Sequence, residues 1–323
     1  MFKNYFKTAF RSLSRNRNYT IINVAGLAVG IAVCMMIFII IQYQTSFDNF
    51  HAKKERTYRV LTEYHHLDAA TISYGKDVPF PMPAALKTVF PQIEQVAPIF
   101  ASQDDQLLIP GNNGTTVKTF KEQRGVFFTE PSFFNMFDFP LLAGSYASLK
   151  EPNNVLLTKE IAEKYFGDWK TAMGKTFKIE VGGYIFEHGT ETLKVSGILA
   201  TIPANTDFQL KVVVAYETGF TASLMATSTD WEDRTNAGFG CYIMLPPNVS
   251  VDNFNQQLRT YSAKVQSPEN KDSHIVQALS AVHYDTQTGN YSNKAISQQL
   301  LNVLWLIAAF ILLIACVNFI NLS

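Results

Sequence analysis

RNRNYTIINVAGLAVGIAVCMMIFIII, residues 15–41, is the stretch that decides the fold class. Two arginines stand at its start, and no charged residue follows them until Asp48. A membrane-spanning helix needs about 20 mostly apolar residues. The apolar run over 21–41 has that length, with a single strongly polar member, Asn23. We therefore predict a first transmembrane helix over residues 18–45.

Two kinds of cleaved signal are the alternatives for this stretch. A secretory signal has a shorter apolar core of about 7–15 residues and a cleavage site of small residues. The run here is longer, and the residues after it, 42–47, contain no such site. A lipoprotein signal would use Cys34, but Val33 is larger than the residue that such signals carry at that position. The sequence therefore favours a helix that stays in the membrane.

Residues 1–17 are predicted to form an amphipathic helix on the cytoplasmic membrane surface. Aromatic side chains on one face would lie at the acyl boundary, and cations on the other face would lie among anionic headgroups. The predicted interfacial anchors are Phe2, Phe6 and Phe10 on the apolar face and Lys3, Lys7 and Arg11 on the basic face. Because cations collect before the first span, the positive-inside rule places this end in the cytoplasm and the chain after Phe47 outside.

Gly26 and Gly30 form a GxxxG pair within the first predicted span. Small residues four positions apart allow a second helix to approach closely. Glycine is also frequent in membrane helices in general. The pair is therefore compatible both with a helix-packing role and with no particular role.

A second apolar run lies near the end of the chain. Residues 300–317 have the sequence LLNVLWLIAAFILLIACV, and no charge occurs from Ala295 onward. By the same length argument, residues 294–323 are predicted to contain a second transmembrane helix that returns to the cytoplasm. The chain stops as this helix ends, without the charged tail that usually follows. We therefore expect the sequence to be the front part of a longer polypeptide.

Residues 46–293 are predicted to form a folded α+β domain outside the membrane. The segment is rich in Phe and Tyr and has no low-complexity tract. Strand and helix patterns are mixed without a regular βαβ alternation. The predicted strands are Thr57–Tyr64, Asn154–Thr158, Thr176–Val181, Tyr184–His188, Thr192–Ala200, Gln209–Tyr216 and Phe239–Leu245. The predicted helices are Pro83–Phe90, Lys159–Phe166 between an N-cap at Thr158 and a stop at Gly167, and Val251–Val265 after an N-cap at Ser250.

The pair Gly182-Gly183 adds a turn to this pattern. Both glycines tolerate positive φ, so the sequence predicts a two-residue hairpin between the strands on either side.

Composition limits the classes of function. The chain has 323 residues and a formal net charge of zero, so it lacks the basic excess that nucleic-acid binding needs. Of its three cysteines, only Cys241 lies outside the apolar runs. The outside domain therefore cannot form an internal disulfide.

Motifs for catalysis and metal binding are not apparent. MGKT at 173–176 resembles the end of a phosphate-binding loop, but the first glycine of that loop would fall at Trp169. We interpret it as a turn before the strand that begins at Thr176. The six histidines form no HExxH, Cys241 has no CxxC partner, and no GxSxG elbow occurs. The sequence predicts no cofactor, no metal site and no enzyme activity.

A series of sequence blocks then suggests a family. The blocks are INVAGLAVG at 22–30, SFDNFH at 46–51, RTYRV at 56–60, SFFNMF at 132–137, LLTKEIAEKYFG at 156–167, VSGIL at 195–199 and ACVNFINLS at 315–323. In this order they resemble the MacB/FtsX-type ABC transporter permeases, in particular the large members typical of Bacteroidota. The resemblance covers almost the whole chain.

The resemblance implies a permease subunit of the cell inner membrane that hydrolyses no ATP itself. A separate ATP-binding cassette subunit would supply the energy, and its motion would pass through the helices to the periplasmic domain by mechanotransmission. That domain would have a porter-like lobe and an inserted lobe at about 105–230. Implied partners are the ATPase, a second permease copy or half, the phospholipid membrane, and a periplasmic adaptor or outer-membrane channel. No nucleic acid is implied.

The chain departs from the family pattern because it ends after its second helix. The further helices and the cytoplasmic loop that would contact the ATPase are missing from it. The transported substrate is not implied either, since relatives handle macrolide-like drugs, peptides and lipoproteins.

Two other classes share the predicted topology. A membrane-anchored extracytoplasmic ligand sensor of a signalling protein would continue after Ser323 with a cytoplasmic signalling segment, whereas a permease would continue with more apolar spans. A tethered extracytoplasmic enzyme would need a catalytic constellation, and the sequence offers none.

Overall fold

A computed structural model of the chain describes residues 17–65, 71–111, 117–182, 190–219, 231 and 238–320. These residues fall into two compact units, which we describe separately. One unit contains the chain up to Phe47 together with the residues from Ile296 onward. The other unit is Asp48–Ala295. The predicted interfacial anchors between Phe2 and Arg11 lie outside the described residues.

The helices have the following bounds in chain order. They are α1 (Arg17–Thr45), α2 (Met82–Val89), α3 (Pro131–Met136), α4 (Lys159–Phe166), α5 (Val251–Val265), α6 (Leu279–Val282) and α7 (Gln298–Ile320). Short 3-10 helices lie at Lys54–Arg56, Tyr146–Lys150 and Trp169–Thr171.

Helices α1 and α7 form the first unit. Within them, Thr20–Thr45 and Gln298–Asn318 are long and apolar enough to cross a membrane. At a rise of 1.5 Å per residue they span about 39 and about 32 Å, against about 30 Å for a hydrocarbon core. Most of their large apolar side chains are exposed in the unit. Such an apolar surface is typical of helices that a membrane covers.

The second unit is an α+β domain built on one mixed sheet. Its strands are β1 (Thr57–His65), β2 (Ile72–Gly75), β3 (Gln95–Ser102), β4 (Asp105–Pro110), β5 (Val117–Glu122), β6 (Val126–Thr129), β7 (Leu141–Gly144), β8 (Asn154–Thr158), β9 (Thr176–Glu180), β10 (Thr190–Leu199), β11 (Val212–Ala215), β12 (Phe239–Met244) and β13 (Ser273–Ala278). The order across the sheet is β13-β1-β12-β3-β6-β11-β8-β10-β9-β4-β5, with β2 beside β1 and β7 beside β10.

The sheet order separates the strands into two groups. Strands from residues 57–102 and 239–278 lie at one end of the sheet, and strands from residues 105–215 lie at the other. The groups meet where β3 pairs antiparallel with β6, with Ser102 opposite Val126. We call this junction the seam.

Central strands of both groups are buried on both faces. In β12, Cys241 and Ile243 pack in one apolar cluster, while Tyr242 and Met244 pack in another on the opposite face. β11 is likewise buried at every position, with the sequence VVVA. Strands buried on both faces appear as continuous apolar runs rather than as an alternation. This explains why both segments were identified as strands from sequence.

Several predicted elements are confirmed with small shifts of their ends. The strand predicted at Asn154–Thr158 and the helix predicted at Lys159–Phe166 have the observed bounds. That helix ends at Gly167, whose φ is +85°, as expected for a glycine after a helix. The Ser250 side chain caps α5 by accepting a hydrogen bond from the Asn253 N–H at 3.4 Å.

Other expectations need correction. β9 pairs with β10 on one side, with Glu180 opposite Thr190, and with β4 on the other. β9 and β10 are consecutive antiparallel strands, but Glu180 and Thr190 are their paired residues closest to the turn, so residues 181–189 connect them and the two-residue hairpin at Gly182-Gly183 is wrong. The strand predicted at Tyr184–His188 lies outside the described residues. The strand predicted at Gln209–Tyr216 is shorter, Val212–Ala215; the Gln209 side chain donates a hydrogen bond back to the Thr206 carbonyl oxygen at 2.9 Å.

Candidate functional site

The two long helices contact each other in an antiparallel arrangement. The Cys34 thiol donates a hydrogen bond to the Ala308 carbonyl oxygen at 3.2 Å. One turn further along α1, the Phe38 ring meets the Trp305 ring edge-on with 6.2 Å between centroids. Residue numbers thus increase along α1 in the direction in which they decrease along α7, so the two helices are antiparallel. A chain that crosses a membrane and returns needs such a pair.

The two glycines of the GxxxG pair have different surroundings. A Cβ added at Gly30 would lie 2.9 Å from the Ala315 Cβ, which is closer than real Cβ atoms approach. A Cβ added at Gly26 would meet nothing within 4 Å. Gly30 therefore lies where α1 and α7 touch, and a packing role for Gly26 stays a prediction.

The segment that enters the domain is fixed by a buried carboxylate. Asp48 is 3% exposed and has a φ of +55°. Its carboxylate accepts hydrogen bonds from the Thr206 hydroxyl and, at 3.2 Å, from the Asp207 N–H. Its own N–H donates to the Asn205 carbonyl oxygen at 3.0 Å. The chain just after α1 is thereby bound to residues 205–207.

The segment that leaves the domain is bound to the same place. The Asp207 carboxylate accepts a hydrogen bond from the Ser292 N–H at 2.8 Å. The Lys294 ammonium donates to the Ala204 carbonyl oxygen at 3.5 Å. We call Asp48, Thr206, Asp207 and Ser292 the terminal cluster, because they join the first and last segments of the domain through residues 204–207.

His51 extends the terminal cluster toward the aromatic core. Its Nδ1 accepts a hydrogen bond from the Asp138 N–H at 2.9 Å. In the neutral ring the proton is therefore on Nε2, which lies 3.5 Å from the Asp48 carboxylate. The ring also packs edge-on against Phe137 and Phe139. These contacts fix the imidazole in place as a structural group.

A buried arginine supports the leaving segment from within the sheet. Arg59 in β1 is fully buried and donates to the Gly289 carbonyl oxygen at 2.7 Å and to the Gln277 side-chain oxygen at 2.6 Å. Its guanidinium also lies 3.7 Å from the Asp285 carboxylate. Since a buried cation needs such partners, this network holds residues 285–289 against β1.

Asp207 is the electrostatically unusual member of the terminal cluster. It is fully buried, and its Oδ2 has no hydrogen-bond partner among the described residues. Burial raises the pKa of Asp207 to about 6, the hydrogen bond from the Ser292 N–H opposes this, and the nearby Asp48 carboxylate adds to it. Two carboxylates that share a buried site disfavour double ionisation. The Asp207 carboxyl therefore keeps its proton to a higher pH than an exposed aspartate does.

The segment that resembles a phosphate-binding loop is a turn. The Gly174 N–H donates to the Val195 carbonyl oxygen at 2.8 Å, and the Lys175 N–H donates to the Ala172 carbonyl oxygen at 3.1 Å. A phosphate cradle needs free backbone N–H groups. The chain then continues into β9, as the interpretation of a turn before a strand predicted.

Within the described residues, no group of three or more His, Cys, Asp or Glu side chains could hold a metal ion. Burial raises the pKa of the Cys241 thiol and lowers the pKa of His274 to about 4. Both side chains are core residues, since neither exposes its surface.

Sequence reasoning did not find the terminal cluster. Asp48 stood in a quoted family block without a role, and Asp207 and Ser292 were not named. The one local signal was the polar stretch ANTD at 204–207 before a strand. Such stretches usually indicate a solvated loop, so the burial of Asp207 could not be inferred from it.

The family described as "MacB-like periplasmic core domain" matches residues 20–261. A crystal structure of a domain of a protein assigned as a permease, from Porphyromonas gingivalis, has 18% identity and a TM-score of 0.54, and covers 71% of this chain and 92% of its own. The periplasmic region of MacB from Actinobacillus actinomycetemcomitans has 11% identity and a TM-score of 0.45, with 70% and 90% covered. No curated protein matches the chain.

Proposed function

The chain belongs to the family of proteins with a MacB-like periplasmic core domain, and we infer that it is the membrane subunit of an ABC transporter of the MacB/FtsX type. Members of this family are permease components of such transporters and are not themselves catalytic. In our proposal a separate ATP-binding cassette subunit hydrolyses ATP in the cytoplasm. The resulting motion drives export or extrusion of a substrate by the domain outside.

The terminal cluster carries this proposal. Asp48 comes three residues after α1, and Ser292 comes six residues before α7. Both are hydrogen-bonded to Asp207, which precedes β11 (Val212–Ala215) in the strand group of residues 105–215 by five positions. A movement of either helix would therefore be transmitted to that strand group through a small number of covalent bonds and hydrogen bonds. A domain that only bound ligand would not need both ends hydrogen-bonded to one buried residue, Asp207.

The arrangement in the membrane is part of the proposal. Residues 1–17 would lie on the cytoplasmic face of the inner membrane, and residues 46–293 would be periplasmic. The two strand groups would act as the porter-like lobe and the inserted lobe of about 105–230, with the seam between them. Gly26 would be available to a helix of a second permease copy or half. A periplasmic adaptor or outer-membrane channel would act as a further partner.

Spin-label distances test the coupling. The exposed residue Lys178 lies in β9 of the group of residues 105–215. The exposed residue Lys264 lies in α5, which contacts β13 of the other group through the hydrogen bond from the Val276 N–H to the Asn255 side chain. Nitroxides on cysteines at these sites would be measured in the complete permease that contains this chain, reconstituted with its ATPase. We expect the distance distribution to change between the nucleotide-free and vanadate-trapped states. An unchanged distribution in a preparation with active ATP turnover would contradict mechanotransmission.

Two results would favour the ligand-sensor alternative instead. The complete protein would then purify without any ATP-binding cassette subunit, and its sequence after Ser323 would continue into a signalling segment. Orientation is tested separately with a membrane-impermeant thiol reagent on intact spheroplasts. Lys178→Cys should be labelled and Asn4→Cys should not, with the unsubstituted chain as the background. The reverse result would end the permease proposal.

A further inference from the structure

The terminal cluster holds two carboxyl groups in one buried place. Asp207 is fully buried, and Asp48 is 3% exposed. The Asp207 N–H donates to the Asp48 carboxylate at 3.2 Å, and the Asp207 carboxylate accepts the Ser292 N–H at 2.8 Å. The entering and the leaving segment are both bound to Asp207, so a change of charge on this one side chain affects both ends of the domain.

The two carboxyl groups receive different numbers of donors. The Asp48 oxygens accept hydrogen bonds from the Thr206 hydroxyl and the Asp207 N–H, and such hydrogen bonds favour the charged form of a carboxylate. In Asp207, by contrast, Oδ2 makes no hydrogen bond within the described residues. Because a buried carboxylate with few donors is costly to ionise, Asp207 is the member of the pair that keeps a proton.

The basic side chains on the entering and leaving segments do little to offset these charges. His51 Nδ1 accepts the Asp138 N–H at 2.9 Å, so a positive charge on this ring would cost that hydrogen bond. Burial lowers the pKa of His283 to about 4, although the Asp48 carboxylate opposes this, so His283 is neutral above about pH 4. Lys294 is exposed, and water and salt screen its charge.

Arg59 is the buried cation that acts on Asp207, but its hydrogen bonds go to other groups. Its guanidinium donates to the Gly289 carbonyl oxygen and the Gln277 side chain, and it lies 3.7 Å from the Asp285 carboxylate. The charge of Arg59 is therefore shared with Asp285 and does not form an ion pair with Asp207 alone.

The balance of these effects leaves Asp207 easier to protonate than an exposed aspartate. Burial raises its pKa, and the repulsion from Asp48 raises it by more than the attraction to Arg59 lowers it. Two tyrosines also interact with Asp207, and burial raises the pKa of both, Tyr242 and Tyr291, so they stay neutral. Asp207 is thus the group of the cluster whose charge responds to mild acid.

We propose that the terminal cluster is a proton-operated latch, which holds the first and last segments of the domain together while Asp207 is protonated and releases them when Asp207 ionises beside Asp48. In the released state, residues 204–207 separate from Asp48 and Ser292, and the Asp207 carboxylate reaches water. Acid outside the membrane closes the latch. Its bearing on transport rests on the proposed function, whereas the latch itself is a property of this chain.

The direction and size of the effect follow from linkage. The pKa of Asp207 is about 6 in the closed cluster and about 3.9 for an aspartate in water. The closed state therefore binds the proton more tightly, and this advantage is complete below about pH 4 and is lost as the pH rises to about 6. Over that window the ratio of open to closed latch should increase by up to about a hundredfold, because each unit of pKa difference is a factor of ten.

Hydrogen exchange at the Ser292 N–H measures the latch, since that group donates to Asp207. Its protection factor is determined between about pH 4 and 7 on the purified full chain in detergent. We expect the protection to fall by up to about a hundredfold between about pH 4 and 6 and then to level off. The Gly174 N–H, which donates to the Val195 carbonyl oxygen in the turn before β9, should keep its protection. Protection at Ser292 that does not vary with pH, or an equal fall at Gly174, would overturn the latch.

Asp207→Asn and Asp105→Asn form a matched pair of variants. Asp207→Asn keeps an oxygen that can accept the Ser292 N–H but cannot ionise, so Ser292 protection should no longer depend on pH. Burial raises the pKa of Asp105 to about 6 as well, but its carboxylate accepts hydrogen bonds from Ser102 and Gly182. Asp105→Asn should therefore keep the wild-type pH dependence at Ser292. The opposite result in either variant would assign the titration to another group and overturn the proposal.

Asp48→Asn tests the latch with Asp207 in place, in case Asp207→Asn does not fold. Because it removes the neighbouring negative charge, the pH at which Ser292 protection falls should shift downward. An unchanged midpoint would contradict the role of the carboxyl pair. Circular dichroism checks that each variant is folded. The spin-label distances in the complex with the ATPase decide the transport proposal separately, so the two proposals fail on different measurements.

Discussion

Replacing Asp48 by alanine should destabilise the domain more than any exposed acid can. The change removes the acceptor for the Thr206 hydroxyl and the Asp207 N–H. Hydrogen bonds to charged groups contribute about 1.5–3 kcal/mol each. Alanine at a φ of +55° adds about 1 kcal/mol of backbone strain. Taking the lower end for each hydrogen bond, we expect a loss of about 4 kcal/mol in the free energy of unfolding.

Asp104→Ala provides the matched control. Asp104 has a φ of +56°, nearly the same as Asp48. Its ion pair with Lys121 is exposed, with side-chain exposures of 59% and 61%, and such pairs contribute about 0–1 kcal/mol. The control therefore measures mainly the free-energy cost of placing alanine at a positive φ. We expect a loss of about 1–2 kcal/mol in the free energy of unfolding. Asp48→Asn keeps an acceptor oxygen and tolerates positive φ, so it should fall between wild type and Asp48→Ala.

Urea unfolding of the full chain in detergent, followed by tryptophan fluorescence, gives the free energies. Hydrogen exchange at Ser292 gives a second readout, because its N–H donates to Asp207. Asp48→Ala should accelerate that exchange, whereas Asp104→Ala should not. Similar losses for the two alanine variants, with Ser292 protected in both, would refute the reasoning that Asp48 joins the two ends of the domain.

Three further predictions concern pH, helix packing and independent folding. Burial raises the pKa of Asp105 to about 6, above its unfolded value of about 3.9. The folded state therefore keeps this proton longer, and stability falls as pH rises from about 4 to 6. Relative to wild type, Asp105→Asn should gain stability over that window, by on the order of 3 kcal/mol at most. If the free energies of unfolding of wild type and Asp105→Asn changed in parallel with pH, this prediction would be wrong. Gly30→Leu should reduce the oxidative cross-linking of Cys34 to Ala308→Cys, because Gly30 lies against α7. Gly26→Leu, which meets open space in this helix pair, should not, and equal effects would place the contact elsewhere. The excised outside domain should fold as a soluble monomer, and its thermal melt should be the same with and without chelator and reductant. A melt that collapses with chelator would show a structural metal.

The sequence alone determined the elements whose signal is local. A helix that crosses a membrane needs only a long apolar run, so residues 21–41 and 300–317 were identified without knowledge of any contact. The strands at Asn154–Thr158 and Phe239–Met244 were predictable for a related reason. Burial on both faces makes the whole segment apolar, and a continuous apolar run is visible in the sequence itself. The family followed from blocks that keep their order.

The tertiary structure decided everything that depends on which segments meet. The two-residue hairpin failed because β9 pairs with β10 from Glu180 opposite Thr190, so that residues 181–189 connect the two strands, and no local property of Gly182 indicates that register. The terminal cluster joins residues 159 and 85 positions apart, from segments that each appear as ordinary polar loops. The seam depends on β3 pairing with β6 rather than with its neighbour in sequence. Contacts of this range depend on the packing of the whole sheet, and so their residues could be named only once the fold was known.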